Sequence, residues 1–264
     1  NGPLDPTNPS VYGFVEAIYH DLTQSFPDAF VHVGGDEVNL GCWNSSTSVR
    51  QWMATNNVTD LADLYDIFET KLLDIVVRKF NRTPIVWQEV FNLNLTLTNG
   101  TIVDVWKGFD TETIIAATDQ SYPVIVSGCW YLDHLNQDWR NLYNCNPRAF
   151  EGGNQQLVIG GHASMWGEKV DASNFMSRVW PRASAVAERL WSGDVEQMGA
   201  AATVTERLES FRCLMVQRGI DASPIRPGHC DREVRYCRNQ TSGQNTNSEQ
   251  SQQPHSRVEI VQEA

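Results

Sequence analysis

The stretch Phe30-Val31-His32-Val33-Gly34-Gly35-Asp36-Glu37 decides the fold. Phe30, Val31 and Val33 read as a short buried strand. Gly34 and Gly35 remove side chains where the backbone turns or lets a ligand approach closely. Two adjacent carboxylates follow. Neighbouring side chains on a strand point to opposite faces, so a strand buried on both sides leaves Asp36 and Glu37 no idle solvent position. Side by side in a partly apolar cleft, two such groups differ in proton affinity, which separates a proton donor from a charge stabiliser. The plainer alternative is a polar strand terminus capping the next helix. The octapeptide alone leaves both readings open.

Four other segments resemble this opening strand: 84–87, 100–106, 123–127 and 157–161. They are short apolar runs rather than apolar–polar alternations, the pattern of a parallel sheet covered on both faces. Helical spacing lies between them. Phe14, Ala17, Ile18 and Leu22 follow the start signal Pro9-Ser10. Leu61, Leu64, Phe68, Leu72, Ile75 and Val76 follow a capping Asp60. Further helices are predicted over 113–118, 175–191 and 200–218, the last closed by Gly219. Strand–helix repetition points to βαβ units with right-handed crossovers. Five strands are countable, whereas a closed (β/α)₈ barrel needs eight. The α/β fold is therefore an open doubly wound sheet or a partial TIM barrel, its last five βα units without the first three. Residues 1–232 hold this unit. Beyond Cys237 the chain is rich in Gln, Asn and Ser and almost free of apolar residues until Val258, so 233–264 reads as a disordered tail.

The 264 residues, 41% hydrophobic and 20% charged, suit a globular protein. A net charge of -12 argues against nucleic acid or an anionic membrane as the main partner. No apolar run is long enough to span a bilayer. No signal peptide is recognisable, although a chain starting at Asn leaves an upstream segment open. Six sequons begin at Asn44, Asn57, Asn81, Asn94, Asn99 and Asn239, and they favour passage through the secretory pathway. Six Cys without a C-x-x-C pair fit disulfides in that compartment better than a zinc site.

Each predicted strand ends in similar chemistry: Asp36-Glu37, then Trp87-Gln88-Glu89, Asp104-Val105-Trp106, Trp130-Tyr131-Leu132-Asp133 and Met165-Trp166-Gly167-Glu168. In a barrel all C-terminal strand ends meet at one mouth. Residues two apart share a face, pairing Tyr131 with Asp133 and Trp166 with Glu168. One tryptophan is ordinarily core; a tryptophan at strand end after strand end, with a few polar hooks, describes a sugar site.

The same segments carry a resemblance. FVHVGGDEV at 30–38, IVWQEV at 85–90, WYLD at 130–133, MWGE at 165–168 and WPRASAVAERLW at 180–191 are similar to the β-N-acetylhexosaminidases of glycoside hydrolase family 20, particularly the eukaryotic lysosomal and secreted enzymes. The likeness extends over about residues 1–232. It implies retaining, substrate-assisted hydrolysis of terminal β-linked GlcNAc or GalNAc from glycans, glycoproteins or glycolipids, with no cofactor or metal. In that scheme Glu37 is the general acid and base, and Asp36 orients the 2-acetamido group. Trp87, Trp106 and Trp166 box the sugar, Tyr131 donates to the acetamido oxygen, and Asp133 and Glu168 bind outer hydroxyls. Asp133-His134 replaces the neutral Asn followed by Arg that accommodates a 6-sulfated sugar, so neutral substrates are expected. The resemblance also implies a Cys213–Cys230 disulfide and a partner upstream for Cys42. Cys129 and Cys145 bracket the loop after the fourth strand and are expected to close it. A homo- or heterodimer and a lysosomal or secreted location follow from the same likeness.

The family's sugar-clamping Arg and its Asp/His pair lie on earlier barrel strands, upstream of these residues, and its small N-terminal α/β domain is absent too. These residues alone are therefore expected to be inactive, with an exposed sheet edge. Two other readings compete. A metal site would gather His32, Asp36, Glu37, Asp104 and His162, without the tight spacing such sites show. A lectin-like barrel would use the tryptophans without catalysis.

Overall fold

The computed structural model describes residues 2–192, 201–228 and 230. Five parallel strands form one sheet in sequential order: β1 (Phe30–Gly34), β2 (Thr83–Trp87), β3 (Ile102–Val105), β4 (Val124–Val126) and β5 (Val158–Gly161). β1 and β5 are its two edges and do not pair with each other. This is the progressive order of a barrel rather than the reversing order of a doubly wound sheet.

Helix α1 (Pro9–Ser25) precedes β1, with Asn8 capping it through a bond from the Ser10 amide. Its stripe Phe14, Ile18 and Leu22 keeps helical spacing, yet the side chains are exposed, as is Phe30. Of the predicted buried residues of β1, only Val33 is buried, because an edge strand is covered on one side alone. Two short helices, α2 (Leu40–Ser45) and α3 (Thr47–Thr55), fill the connection to α4 (Leu61–Asp74), which Asp60 caps through the Ala62 amide. A π-turn over Ile75–Lys79 then leads into β2. Single turns and helices complete the layer: α5 (Gln88–Asn92), α6 (Thr111–Asp119), α7 (Trp139–Asn144), α8 (Phe175–Val179), α9 (Arg182–Ser192) and α10 (Ala201–Gln217).

The helix predicted over 175–191 is in fact two, α8 and α9. Pro181 offers no amide hydrogen and drives Trp180 out of helical conformation, to φ -101° and ψ 137°. The fourth strand also ends earlier than expected, at Val126. Gly128 turns the chain against Gly108, and a Cβ there would lie 2.0 Å from the Gly108 carbonyl oxygen. The segment returns to extended form only at Tyr131, in a single bridge to Ser164. Trp130 is core rather than wall: it is fully buried and its indole N–H donates to the Leu142 carbonyl at 2.8 Å.

Two apolar clusters cover the sheet. One gathers Val103, Val105, Val124, Val126, Ile114 and Trp130; the other gathers Val33, Val86, Val90, Leu64 and Leu73. The structure contains the Cys129–Cys145 and Cys213–Cys230 disulfides, and Cys42 is half-buried and in neither. Cys237 and the expected tail over 233–264 lie outside the described residues. Among the described residues, no helix is long and apolar enough to cross a membrane.

Gly161 of β5 packs tightly: a Cβ there would fall 2.2 Å from the Val126 carbonyl oxygen and 2.3 Å from the Trp130 ring. Gly161→Ala is expected to cost about 1–3 kcal/mol of stability by overpacking. The check is the urea midpoint of the variant, and an unchanged midpoint contradicts this packing.

Candidate active site

The C-terminal strand ends open into one cleft of about 720 Å³. Asp36, Glu37, Trp87, Trp106, Tyr131, Asp133, Trp166 and Glu168 all line it, so the eight residues singled out in the sequence share one cavity. They are joined there by His134, Leu135, Asn136 and Lys169. Four carboxylates against one lysine make the lining acidic.

The turn that presents Asp36 and Glu37 is unusual. Gly34 and Gly35 have φ of +86° and +90°, and Glu37 itself has φ of +48°. A non-glycine residue in the left-handed region is uncommon and is held there by its surroundings. Both carboxylates are exposed to the cleft. The aromatic wall is continuous: the Trp87 and Trp106 centroids lie 6.1 Å apart at 68°, and those of Trp106 and Tyr131 lie 6.3 Å apart. Tyr131 stacks in turn on His134 at 5.2 Å. Burial pushes the Tyr131 phenol up to about 12, and the carboxylates of Asp104, Asp133 and Asp36 add to this, which keeps it a neutral hydrogen-bond donor. Trp166 stands half-exposed across the cleft, and its amide donates to Asp133 Oδ1 at 3.4 Å.

Several residues behind this lining were not assigned roles from the sequence. Gln88 Oε1 accepts the amides of Trp106 and Lys107 at 2.9 and 2.8 Å, while its Nε2 donates to Asp110 at 2.8 Å. Glu89 Oε2 accepts the Trp106 indole N–H at 2.9 Å, and its Oε1 lies 2.9 Å from Lys107 Nζ. The Gln-Glu pair after β2 therefore fixes both the backbone and the ring of Trp106. Arg182 donates to the carbonyls of Leu132, His134 and Gln137, pinning the loop that carries Asp133.

Beneath Trp87 lies a fully buried carboxylate, Asp104. Its Oδ1 accepts the Ser127 hydroxyl at 2.8 Å, and its Oδ2 meets His162 Nε2 at 2.6 Å and His32 Nε2 at 3.4 Å. His32 Nδ1 accepts the Gly34 amide at 3.1 Å, which leaves its proton on the Nε2 side. Burial by itself raises the Asp104 pKa, but the bonds from His162, His32 and Ser127 and the His162 charge outweigh it and hold the group below the ordinary carboxylate value. The rings of His32 and His162 flank Trp87 at 4.4 and 6.2 Å. The residues of the metal reading are thereby divided: His162 bonds to Asp104 and His32 lies 3.4 Å from it, whereas Asp36 and Glu37 face the cleft.

Carboxylates and indoles gathered at the C-terminal ends of parallel strands are the arrangement of a barrel glycosidase. The model of the glycosyl hydrolase family 20 catalytic domain matches residues 1–194, and the chain belongs to that family. It is 45% identical over 240 residues to the human beta-hexosaminidase subunit beta, covering 88% of this chain and 42% of that one. Identity to the mouse beta-hexosaminidase subunit alpha is 39% over 240 residues, or 88% of this chain and 45% of the relative. The chain thus spans less than half the length of these relatives. Among solved structures, Flavobacterium johnsoniae chitobiase superposes with a TM-score of 0.69 at 27% identity, over 83% of this chain and 34% of its own. The fold is also shared with the Vibrio harveyi family 20 exo-β-N-acetylglucosaminidase, at a TM-score of 0.73, 23% identity, and 84% and 37% coverage.

Asp104→Asn is expected to destabilise the protein at neutral pH by about 1–3 kcal/mol, the cost of disturbing a buried hydrogen-bond set. A lowered folded pKa means that the carboxylate's contribution is complete above its unfolded value and is lost as pH falls through the folded one. The gap in urea midpoint between wild type and variant is expected to shrink in acid. A gap that is constant with pH contradicts the role given to the charge.

Proposed function

We propose that this chain is the C-terminal portion, within residues 1–232, of a β-N-acetylhexosaminidase catalytic domain that removes terminal β-linked GlcNAc or GalNAc from glycoconjugates. The observation that carries this reading is the convergence of Asp36 and Glu37 with Trp87, Trp106, Tyr131, Asp133, Trp166 and Glu168 on one cleft. The names of the relatives support the reaction class.

The chemistry follows from the lining. The 2-acetamido oxygen of the substrate attacks the anomeric carbon as the glycosidic bond breaks, and Glu37 gives its proton to the leaving oxygen. The ring closed in this step is a positively charged oxazolinium. Asp36 accepts the acetamido N–H and steadies that charge, while the Tyr131 phenol donates to the acetamido oxygen and aims it. Trp87, Trp106 and Trp166 confine the acetamido group and exclude water that would compete with the intramolecular attack. Water then attacks the anomeric carbon, the bond from that carbon to the acetamido oxygen breaks, and the water gives its proton to Glu37, restoring the enzyme. Asp133 and Glu168 hold the outer hydroxyls.

The site is completed by upstream barrel units that close on the free edges of β1 and β5, so the 264 residues alone are inactive on this reading. A homo- or heterodimer is inferred from the alpha and beta subunits among the relatives. Passage through the secretory pathway to the lysosome or the outside is supported by two disulfides and by sequon asparagines 44, 57, 81, 94 and 99, which are all exposed.

In the complete protein, Glu37→Gln is expected to lower kcat by roughly 10²–10⁴ while sparing binding of GlcNAc. Survival of hydrolysis removes the assignment, and a wild type that binds GlcNAc without hydrolysing its glycosides supports the lectin reading. The Asp133 carboxylate repels a 6-sulfate, so turnover on GlcNAc-6-sulfate glycosides is expected to fall below that on neutral ones. Equal efficiency on the two substrates overturns the preference.

A further inference from the structure

Behind the Asp36–Glu37 turn, two side chains that the reaction does not use are packed into the core. Tyr65 and Glu69 lie one turn apart on the inner face of α4, each 1% exposed. The Tyr65 hydroxyl donates to the Gly35 carbonyl oxygen at 2.8 Å, a contact spanning 30 residues of sequence. A Cβ on Gly35 would lie 2.3 Å from Val90 Cγ2, 3.1 Å from the Tyr65 hydroxyl and 3.4 Å from Glu69 Oε1. The turn that presents both carboxylates therefore rests directly on this pair. We infer that Tyr65 and Glu69 are positioning residues: a buried carboxyl backs a phenol, and the phenol holds the Gly35 carbonyl and with it the orientation of Asp36 and Glu37. This inference rests on the hexosaminidase reading for its effect on catalysis, but not for its geometry.

Proton accounting gives the relay its direction. A phenol has one proton, and Tyr65 gives it to Gly35. A protonated Glu69 leaves that proton with Gly35, whereas an ionised Glu69 competes for it, since a bond from the phenol lowers the Glu69 pKa. Glu69 Oε2 is buried without a hydrogen-bond partner, an expensive position for a charged oxygen. The ionisable groups around the pair are Asp66 on α4, Tyr19 on α1, Asp36 and Glu37 in the turn, Cys42 on α2 and Glu89 on α5, none of them a cation. Burial pushes Glu69 up to about 7 against the opposing bond from Tyr65, and the Asp66 charge adds to the rise. Because the folded value lies above the ordinary 4.5, the stability from this group is complete in acid and falls as pH climbs from 4.5 to about 7. Once ionised, Glu69 becomes an acceptor and draws the phenol proton away from Gly35. The left-handed conformation of Glu37 then loses a restraint.

Amide hydrogen exchange of the peptide covering residues 30–40, corrected for intrinsic rates, tests this in the complete protein. Wild-type protection at 34–37 is expected to drop about tenfold between pH 5 and pH 8. Glu69→Gln, which cannot ionise, is expected to hold its protection at both values. Tyr65→Phe is expected to be about tenfold less protected at both, with unchanged global unfolding. Wild-type protection that is constant with pH, or Tyr65→Phe protected like wild type, overturns the relay. In parallel, the alkaline fall of kcat is expected to move to higher pH in Glu69→Gln with KM unchanged; an unmoved limb likewise overturns it. Absence of hydrolysis in the wild type would sink the hexosaminidase reading alone, and hydrogen exchange would still decide the relay.

Discussion

One buried carboxylate holds the mouth of this sheet together. Asp104 sits at the end of β3 with no exposed surface, where an unpaired charge would cost several kcal/mol. It is tolerated because Ser127, His162 and His32 converge on it from the segments after β4 and β5 and from β1. Through His32 the same cluster reaches the Gly34 amide, and through both imidazoles it flanks Trp87. The glycine turn carrying the proposed acid and the indole wall facing it are therefore tied to one buried cluster, the turn by a hydrogen bond to His32 and Trp87 by ring packing.

The rest of the cleft repeats that logic with different residues. Trp106 is aimed by Glu89 and anchored by Gln88. Asp133 lies on a loop whose carbonyls are gathered by Arg182, at the start of α9. On the proposed reading, the groups that touch substrate are few, and each is fixed by a neighbour that does not. That is what an intramolecular nucleophile demands, since its advantage depends on holding the acetamido group within a narrow range of geometry.

Much of this was legible in the sequence for definite reasons. Short apolar runs identified the five parallel strands, and the carboxylates and tryptophans at their ends converge because parallel strands share one C-terminal mouth. The contacts that were missed act across distances a sequence pattern does not encode. His162 bonds Asp104 over 58 positions, and Tyr65 reaches Gly35 over 30. Periodicity also identifies which residues share a stripe but not what that stripe meets, so the exposure of Phe14, Ile18 and Leu22 was invisible. The break at Pro181 was readable from its missing amide hydrogen but was masked by the apolar spacing around it. The helices α2, α3 and α7 were too short to show a period, although the Ser46 and Asp138 caps that start α3 and α7 are written plainly.

The central claim is that the substrate's own amide oxygen is the nucleophile, held by Asp36 and Tyr131 while Glu37 handles the proton. Its most direct test is the rate of the complete enzyme on aryl glycosides whose N-acetyl group carries zero, one, two or three fluorines. Fluorine withdraws electrons from that oxygen, so kcat should fall steeply and monotonically along the series. A kcat independent of fluorine count would show that the oxygen does not attack, and the account would be wrong.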